Sequence, residues 1–189
     1  MIKILTDLII KHSKNINLHI LNDTNINKYI EVCSNYNKLI YPHKADYIRV
    51  KLINKYGGIW MDADTLVMCD INNIFDNIFK GNGFFIKENN KVLCNGVFGS
   101  LPGTDLLNSW ERNNEEIVSR GEISEWNIMG SKFLNGFEIN GYNIINGLDS
   151  VYPVNWNNCV EEFINKPYNN YINLERDCQY FIVLVNSVY

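Results

Sequence analysis

The apolar positions of the chain change period several times. Ile2, Leu5, Leu8 and Ile9 recur at helical spacing over residues 2–11, and Leu18 to Leu21 form a short apolar run closed by Asn22-Asp23, which reads as a strand and turn. Pro42 then stands at a helix start. Ala45, Ile48, Leu52, Ile53 and Tyr56 share one broad face, and Gly57-Gly58 supplies the stop, so the pattern predicts a helix over 43–56. Ile59-Trp60-Met61 reads as a buried strand that releases Asp62-Ala63-Asp64 at its carboxyl end, with Thr65 to Met68 continuing extended. Further on, Phe84–Ile86, Val92–Phe98, Tyr142–Ile145 and Phe181–Val185 read as strands, alternating with helical stretches near 103–119 and 125–135. Ser124 is the candidate cap of the latter helix, and Gly130 weakens its middle. The alternation predicts an α/β chain with a mixed sheet flanked by helices.

At 189 residues the chain falls within the usual size of one domain, and no linker-like stretch divides 1–189. The net charge of −4 speaks against a nucleic-acid footprint, and the longest uncharged apolar stretch, Tyr180 to Val185, is far too short to span a bilayer. The first ten residues carry Asp7 and lack the basic start and small-residue cleavage site of a secretory signal, so a cytoplasmic location is expected. The five cysteines at 33, 69, 94, 159 and 178 have no C-x-x-C pair and read as buried free thiols. His12, His19 and His43 form no helical pair, which leaves a zinc site little support.

The candidate chemistry sits at the end of the strand 59–61. Asp62 and Asp64, one residue apart in extended chain or a tight turn, can turn hard oxygen ligands toward one Mg²⁺ or Mn²⁺, and such an ion can grip two phosphates. In sugar transfer from a nucleoside diphosphate, negative charge builds on the departing diphosphate, and a bridging cation stabilises it. By itself Asp-x-Asp is not diagnostic, since any acidic loop produces it. Asp46 and Arg49, three apart on one helical face, can act together or form only a surface ion pair. Gly57-Gly58 reads as a helix stop and close-packing device, and Trp60 and Tyr56 as core residues.

The setting carries more than the pair does. The block from His43-Lys44-Ala45-Asp46-Tyr47-Ile48-Arg49 through Tyr56-Gly57-Gly58-Ile59-Trp60-Met61-Asp62-Ala63-Asp64-Thr65 closely resembles the signature of capsular-polysaccharide-synthesis and Och1-like (GT32-like) DXD sugar transferases. It is more distantly similar to the clostridial glucosylating toxins. The resemblance implies a GT-A-like fold and metal-dependent transfer, with retention, of a sugar from a UDP- or GDP-sugar donor to a glycan or protein hydroxyl. It implies that Asp46 and Arg49 face the donor sugar and phosphates, that Asp62 contacts ribose or metal, and that Asp64 is the direct ligand of Mn²⁺ or Mg²⁺.

Asn95-Gly96-Val97-Phe98-Gly99-Ser100 resembles the family's next segment and makes Asn95 a substrate contact. Asn127-Ile128-Met129-Gly130 and Tyr152-Pro153-Val154-Asn155-Trp156 resemble structural stretches. Residues 186–189 correspond to a terminal region that supplies a further metal or phosphate contact, here Ser187, although its usual His is absent and its Trp is Tyr189.

Relatives usually begin with a strand resembling Ile-Pro-x-x-Ile-His-x-x-Trp that helps hold the nucleotide. No such segment precedes residues 1–10, so the expected sheet lacks its first strand. That departure and the altered terminus motivate the alternative of a truncated, non-catalytic transferase fold that binds sugar or acts as a scaffold. A haloacid-dehalogenase-type phosphatase also places Asp-x-Asp after a strand, with the first Asp as nucleophile. It wants Thr or Val where this chain has Leu66, and it gives no part to Asp46, Arg49 or the glycine pair.

Overall fold

A computed structural model describes residues 2–88, 92–121, 123–147 and 181–183. The elements run α1 (Ile2–His12), α2 (Tyr41–Tyr56), β1 (Gly58–Met61), β2 (Thr65–Val67), α3 (Ile71–Asn77), β3 (Gly83–Glu88), β4 (Val92–Ser100), α4 (Asp105–Arg120), α5 (Ser131–Asn135), β5 (Tyr142–Asn146) and β6 (Phe181–Val183). β1, β4, β3 and β5 form a four-stranded sheet in that order, antiparallel except for the parallel β3–β5 pair, while β2 and β6 form a separate antiparallel pair. This is a mixed α/β architecture with helices flanking a mixed sheet, compatible with a GT-A-like fold.

Strand alternation sorts the side chains onto two faces. Phe84, Ile86 and Val97 join Ile9 of α1, Val67 of β2, Ile71 and Ile74 of α3 and Phe181 of β6 in one core. Phe85 and Phe98, their neighbours in sequence, point the other way into Val50 and Ile53 of α2, Trp110 of α4 and Leu134 of α5. The opposite side of α2, through Tyr47, Ile48 and Leu52, covers a third cluster with Ile26, Ile30, Tyr36 and Met129. α2 is therefore buried on most of its circumference, with Asp46 and Arg49 among the buried positions. Polar links tie it to α4: Tyr47 donates its hydroxyl to Glu115 Oε1 at 2.6 Å, Lys51 pairs with the same carboxylate, and Asn54 donates to Glu111 Oε2 at 2.7 Å. Thr104 caps α4 by accepting from the Leu107 N–H.

Several expectations change. Leu18 to Leu21 is not a strand. Leu18 packs on one core and Leu21 on another, so the run bridges two clusters without a ladder partner, and only its turn forms, through Asn22 Oδ1 accepting from the Thr24 N–H at 2.9 Å. The helix expected over 125–135 is reduced to α5, with Gly130 as its uncapped N-terminal boundary and Ser124 outside it. β1 is half-buried rather than buried, because it is the edge of its sheet. Tyr56 is exposed and donates its hydroxyl to the Tyr29 carbonyl at 2.7 Å. Cys33, Cys69 and Cys94 are free and half-buried. The 152–156 segment, Cys159, Cys178, Leu184, Val185 and residues 186–189, Ser187 included, lie outside the described residues. Among the described residues no helix is long and apolar enough to cross a membrane.

The turn between α2 and β1 behaves as read. Gly57 closes the helix by donating its N–H to the Ile53 carbonyl, at φ 69° and ψ −168°, and a Cβ there would stand 2.8 Å from Pro102 Cδ. That backbone region is essentially restricted to glycine. Gly57→Ala is expected to cost about 1–3 kcal/mol from backbone strain, read as a lower urea midpoint with an unchanged slope; an unaltered midpoint would show that the turn relaxes freely.

A candidate donor site at the carboxyl end of β1

Helix α2 and strand β1 run in opposite directions from the glycine turn. The helix between Arg49 and Gly57 and the strand between Gly57 and Asp62 cover comparable lengths at ~1.5 and ~3.3 Å per residue, so the two side chains meet. The register of β1 on β4, with Met61 opposite Val97, continues into a hydrogen bond from the Asp62 N–H to the Gly96 carbonyl at 2.8 Å. Asn95 and Gly96 are thereby set beside Asp62. Four of the residues expected at the site, Asp46, Arg49, Asp62 and Asn95, come together around one buried guanidinium.

Arg49 is 4% exposed. Its Nε donates to the Ala45 carbonyl at 3.1 Å and its Nη1 to the Asn95 carbonyl at 2.5 Å. Nη2 lies 3.3 Å from Asp46 Oδ1 and 3.3 Å from Asp62 Oδ1, and Nη1 reaches Asp62 Oδ2 at 3.4 Å. The Asp46–Arg49 pair is therefore buried and shared with a strand, not a surface ion pair. Asn95 Nδ2 donates to Asp46 Oδ1 at 2.7 Å, and the buried Asn114 donates to the Asp46 carbonyl. Asp64 follows in the turn closed by the Thr65 N–H donating to the Asp62 carbonyl at 3.0 Å, half-buried and near enough to act on the Asp62 carboxyl.

Trp60, expected in the core, packs half-buried against two of the apolar clusters and also reaches the site. Its indole N–H donates to Asp62 Oδ1 at 2.7 Å, and the Arg49 guanidinium stands over its ring at 5.5 Å. Two glycines make room: a Cβ on Gly96 would lie 3.0 Å from Asp62 Oδ2, and one on Gly130 would lie 2.4 Å from Asn95 Nδ2 and 3.2 Å from Asp46 Oδ2. The second contact explains why Gly130 ends a turn rather than sitting inside a helix. His43, quoted within the signature block without a role, is 6% exposed, and its Nε2 has no hydrogen-bond partner among the described residues. Gly96 and Gly130 left no chemical signal in the sequence, since their contribution is the absence of a side chain.

The electrostatics are those of an acidic cluster short of positive charge. Burial pushes the Asp46 carboxyl up, opposed mainly by Arg49 and the Asn95 amide. Burial likewise raises Asp62, opposed by Arg49 and Trp60 and reinforced by the charge of Asp64. The guanidinium is shared between the Asp46 and Asp62 carboxyls, and the charge of Asp64 acts on Asp62 from the same turn. Among the described residues no three His, Cys, Asp or Glu side chains converge as a metal cluster. A pair of carboxylates nevertheless suits Mg²⁺ or Mn²⁺, which keep several waters and share their shell with phosphate oxygens. Thr65 Oγ1, directly after Asp64, is buried without a partner among the described residues, a further polar atom in place at that turn.

The carboxylate turn follows the carboxyl end of an edge strand and is backed by a buried Arg–Asp pair, the position at which α/β sheets commonly carry ligands. The chain belongs to the capsular polysaccharide synthesis protein family, whose profile matches residues 1–100 and so includes α1 through β4 and every one of Asp46, Arg49, Asp62, Asp64 and Asn95. Membership points to a glycosyltransferase-like role in polysaccharide synthesis, with sugar donor and acceptor substrates. Neither curated proteins nor solved structures give a significant match.

The raised carboxyls have a consequence for stability. The folded chain keeps protons on Asp46 and Asp62 above the unfolded value of 3.8, so these groups cost stability as pH rises from there through their raised values. Arg49 offsets that cost. Arg49→Met is expected to lose about 3–5 kcal/mol near pH 7 and distinctly less at a mildly acidic pH, since the raised carboxyls take up protons as pH falls. Urea denaturation at both pH values checks this; an equal loss at the two would mean that packing, not charge, is what Arg49 supplies.

Proposed function

We propose that the chain is a metal-dependent glycosyltransferase that moves a sugar from a nucleoside-diphosphate donor to a glycan or protein hydroxyl. The observation that carries this reading is the assembly of Asp46, Arg49, Asp62 and Asn95 around one buried guanidinium at the strand end bearing Asp64.

Arg49 anchors the cluster by fixing Asp46, Asp62 and the Asn95 backbone at once. Trp60 and Arg49 hold the Asp62 carboxylate from both of its oxygens, so Asp62 needs little reorganisation when a ligand arrives. Asp64, on the same turn, is the direct ligand of Mn²⁺ or Mg²⁺ in this reading, with Asp62 supporting it. The bound cation supplies neutralisation of the charge that develops on the departing diphosphate. Asp46 and Asn95, locked to each other, present carboxylate and amide oxygens to hydroxyls of the donor sugar. Transfer with retention is part of the proposal, and no side chain is assigned as nucleophile or base.

The engagement of Asp62 by Trp60 and Arg49 also weighs against a phosphatase, where that carboxylate must stand open to attack phosphorus. A non-catalytic sugar-binding descendant is separated by turnover.

Calorimetric titration with UDP-glucose, UDP-N-acetylglucosamine and GDP-mannose, with and without Mn²⁺, tests the reading. At least one donor is expected to bind only with the metal. Asp64→Ala is expected to abolish that binding, and Asp62→Asn to weaken it at least roughly tenfold, on the order of 1.4 kcal/mol, while the thermal midpoint stays close to the parent. Donor binding that ignores Mn²⁺ or survives Asp64→Ala would overturn the assignment. Hydrolysis or transfer from the bound donor then distinguishes an enzyme from a binding protein.

A further inference from the structure

Trp126 is 61% exposed, one of the largest apolar side chains facing solvent among the described residues. It sits on the turn-rich stretch 125–130 between α4 and α5, which is anchored at both ends. The Met129 side chain is fully buried, and its carbonyl accepts the Trp110 indole N–H at 2.6 Å. Gly130 abuts Asn95 and Asp46, and Lys132 Nζ meets Glu125 Oε1 at 2.7 Å across the stretch. The indole is therefore presented to solvent by a fixed piece of backbone.

On its inner side Trp126 packs against His43, with ring centroids 6.4 Å apart at 51°. His43 is nine-tenths buried with Nε2 unpartnered among the described residues, and it stands one helical turn before Asp46 on α2. Two features that folding alone does not favour thus coincide. One is an indole left uncovered, and the other is an imidazole nitrogen left without a hydrogen bond. His43 is close enough to the Asp46 carboxyl to act on it, and Trp126 adjoins that neighbourhood through His43.

A flat apolar ring face with polar groups at its edge is complementary to a pyranose, which offers a C–H face for stacking and hydroxyls around its rim. We propose that the exposed face of Trp126, backed from beneath by the buried His43, forms the platform for the acceptor sugar, next to the donor position. The acceptor role rests on the glycosyltransferase reading above; the binding of a pyranose to Trp126 does not.

Nitrogen–proton NMR of the indole groups, with methyl glycosides of glucose, galactose, mannose and N-acetylglucosamine as probes, tests the platform without needing the natural acceptor. At least one glycoside is expected to shift the Trp126 indole signal in the full chain. Trp126→Ala is expected to raise its dissociation constant roughly tenfold or more, with Trp126→Phe retaining part of the affinity. Metal-dependent donor binding should be unchanged in both variants, which shows the fold and the donor site intact. Equal glycoside binding by the parent and Trp126→Ala, or no shift with any of the glycosides, would overturn the platform. Asp64→Ala separates the two assignments: it is expected to lose the donor and keep the glycoside, whereas retained donor binding would sink the donor reading and leave the pyranose platform to stand on its own result.

Discussion

The site depends on one buried guanidinium. Arg49 joins three pieces of chain: the preceding turn of α2 through the Ala45 carbonyl and Asp46, the end of β1 through Asp62, and the middle of β4 through the Asn95 carbonyl. A buried charge with one missing partner is far costlier than one with none missing, so each of these contacts enforces the others. The helix cannot slide along the strand, and the strand cannot slip against β4, without leaving charge unpaired. The rest of the fold can be viewed as support for this junction. The Phe85–Phe98–Trp110 core holds the helix against the sheet, and the Tyr47–Glu115–Lys51 network fixes the helix from its far side.

The helix α2, the glycine stop and β1 were legible because each carries a local signal: a proline at one end, a positive-φ glycine at the other, and apolar runs of the right period between. The meeting of Asp46, Arg49, Asp62 and Asn95 was legible for another reason. It came from resemblance to a family signature, since spacing alone leaves Asp46–Arg49 as an ordinary ion pair, and nothing local in the sequence says that Gly96 is opposite Asp62 with Asn95 next to it. That information resides in the β1–β4 register, a long-range pairing.

What the sequence concealed follows the same division. Trp60 packs on two apolar clusters as an indole beside apolar neighbours usually does, and what was hidden is the second use of its polar N–H, turned to Asp62 at the edge of the sheet. Gly130 looked like a weak spot in a helix because its constraint comes from Asn95 and Asp46, far away in sequence. Leu18 to Leu21 showed the apolar content of a strand, but its residues serve two separate cores instead of one sheet face. Trp126 offered no pattern at all, since a lone exposed aromatic in a turn has no periodicity to betray it.

The two-glycine turn between α2 and β1 sets a further constraint on how such chains can diverge. A helix presents a new direction every residue, and a strand reverses its side chains every residue, so the connection between them carries no slack. One residue added or removed between Arg49 and Asp62 would turn the aspartate to the opposite face of β1 while leaving every apolar run in place. Length across this stretch is thus as much a part of the site as its charged groups.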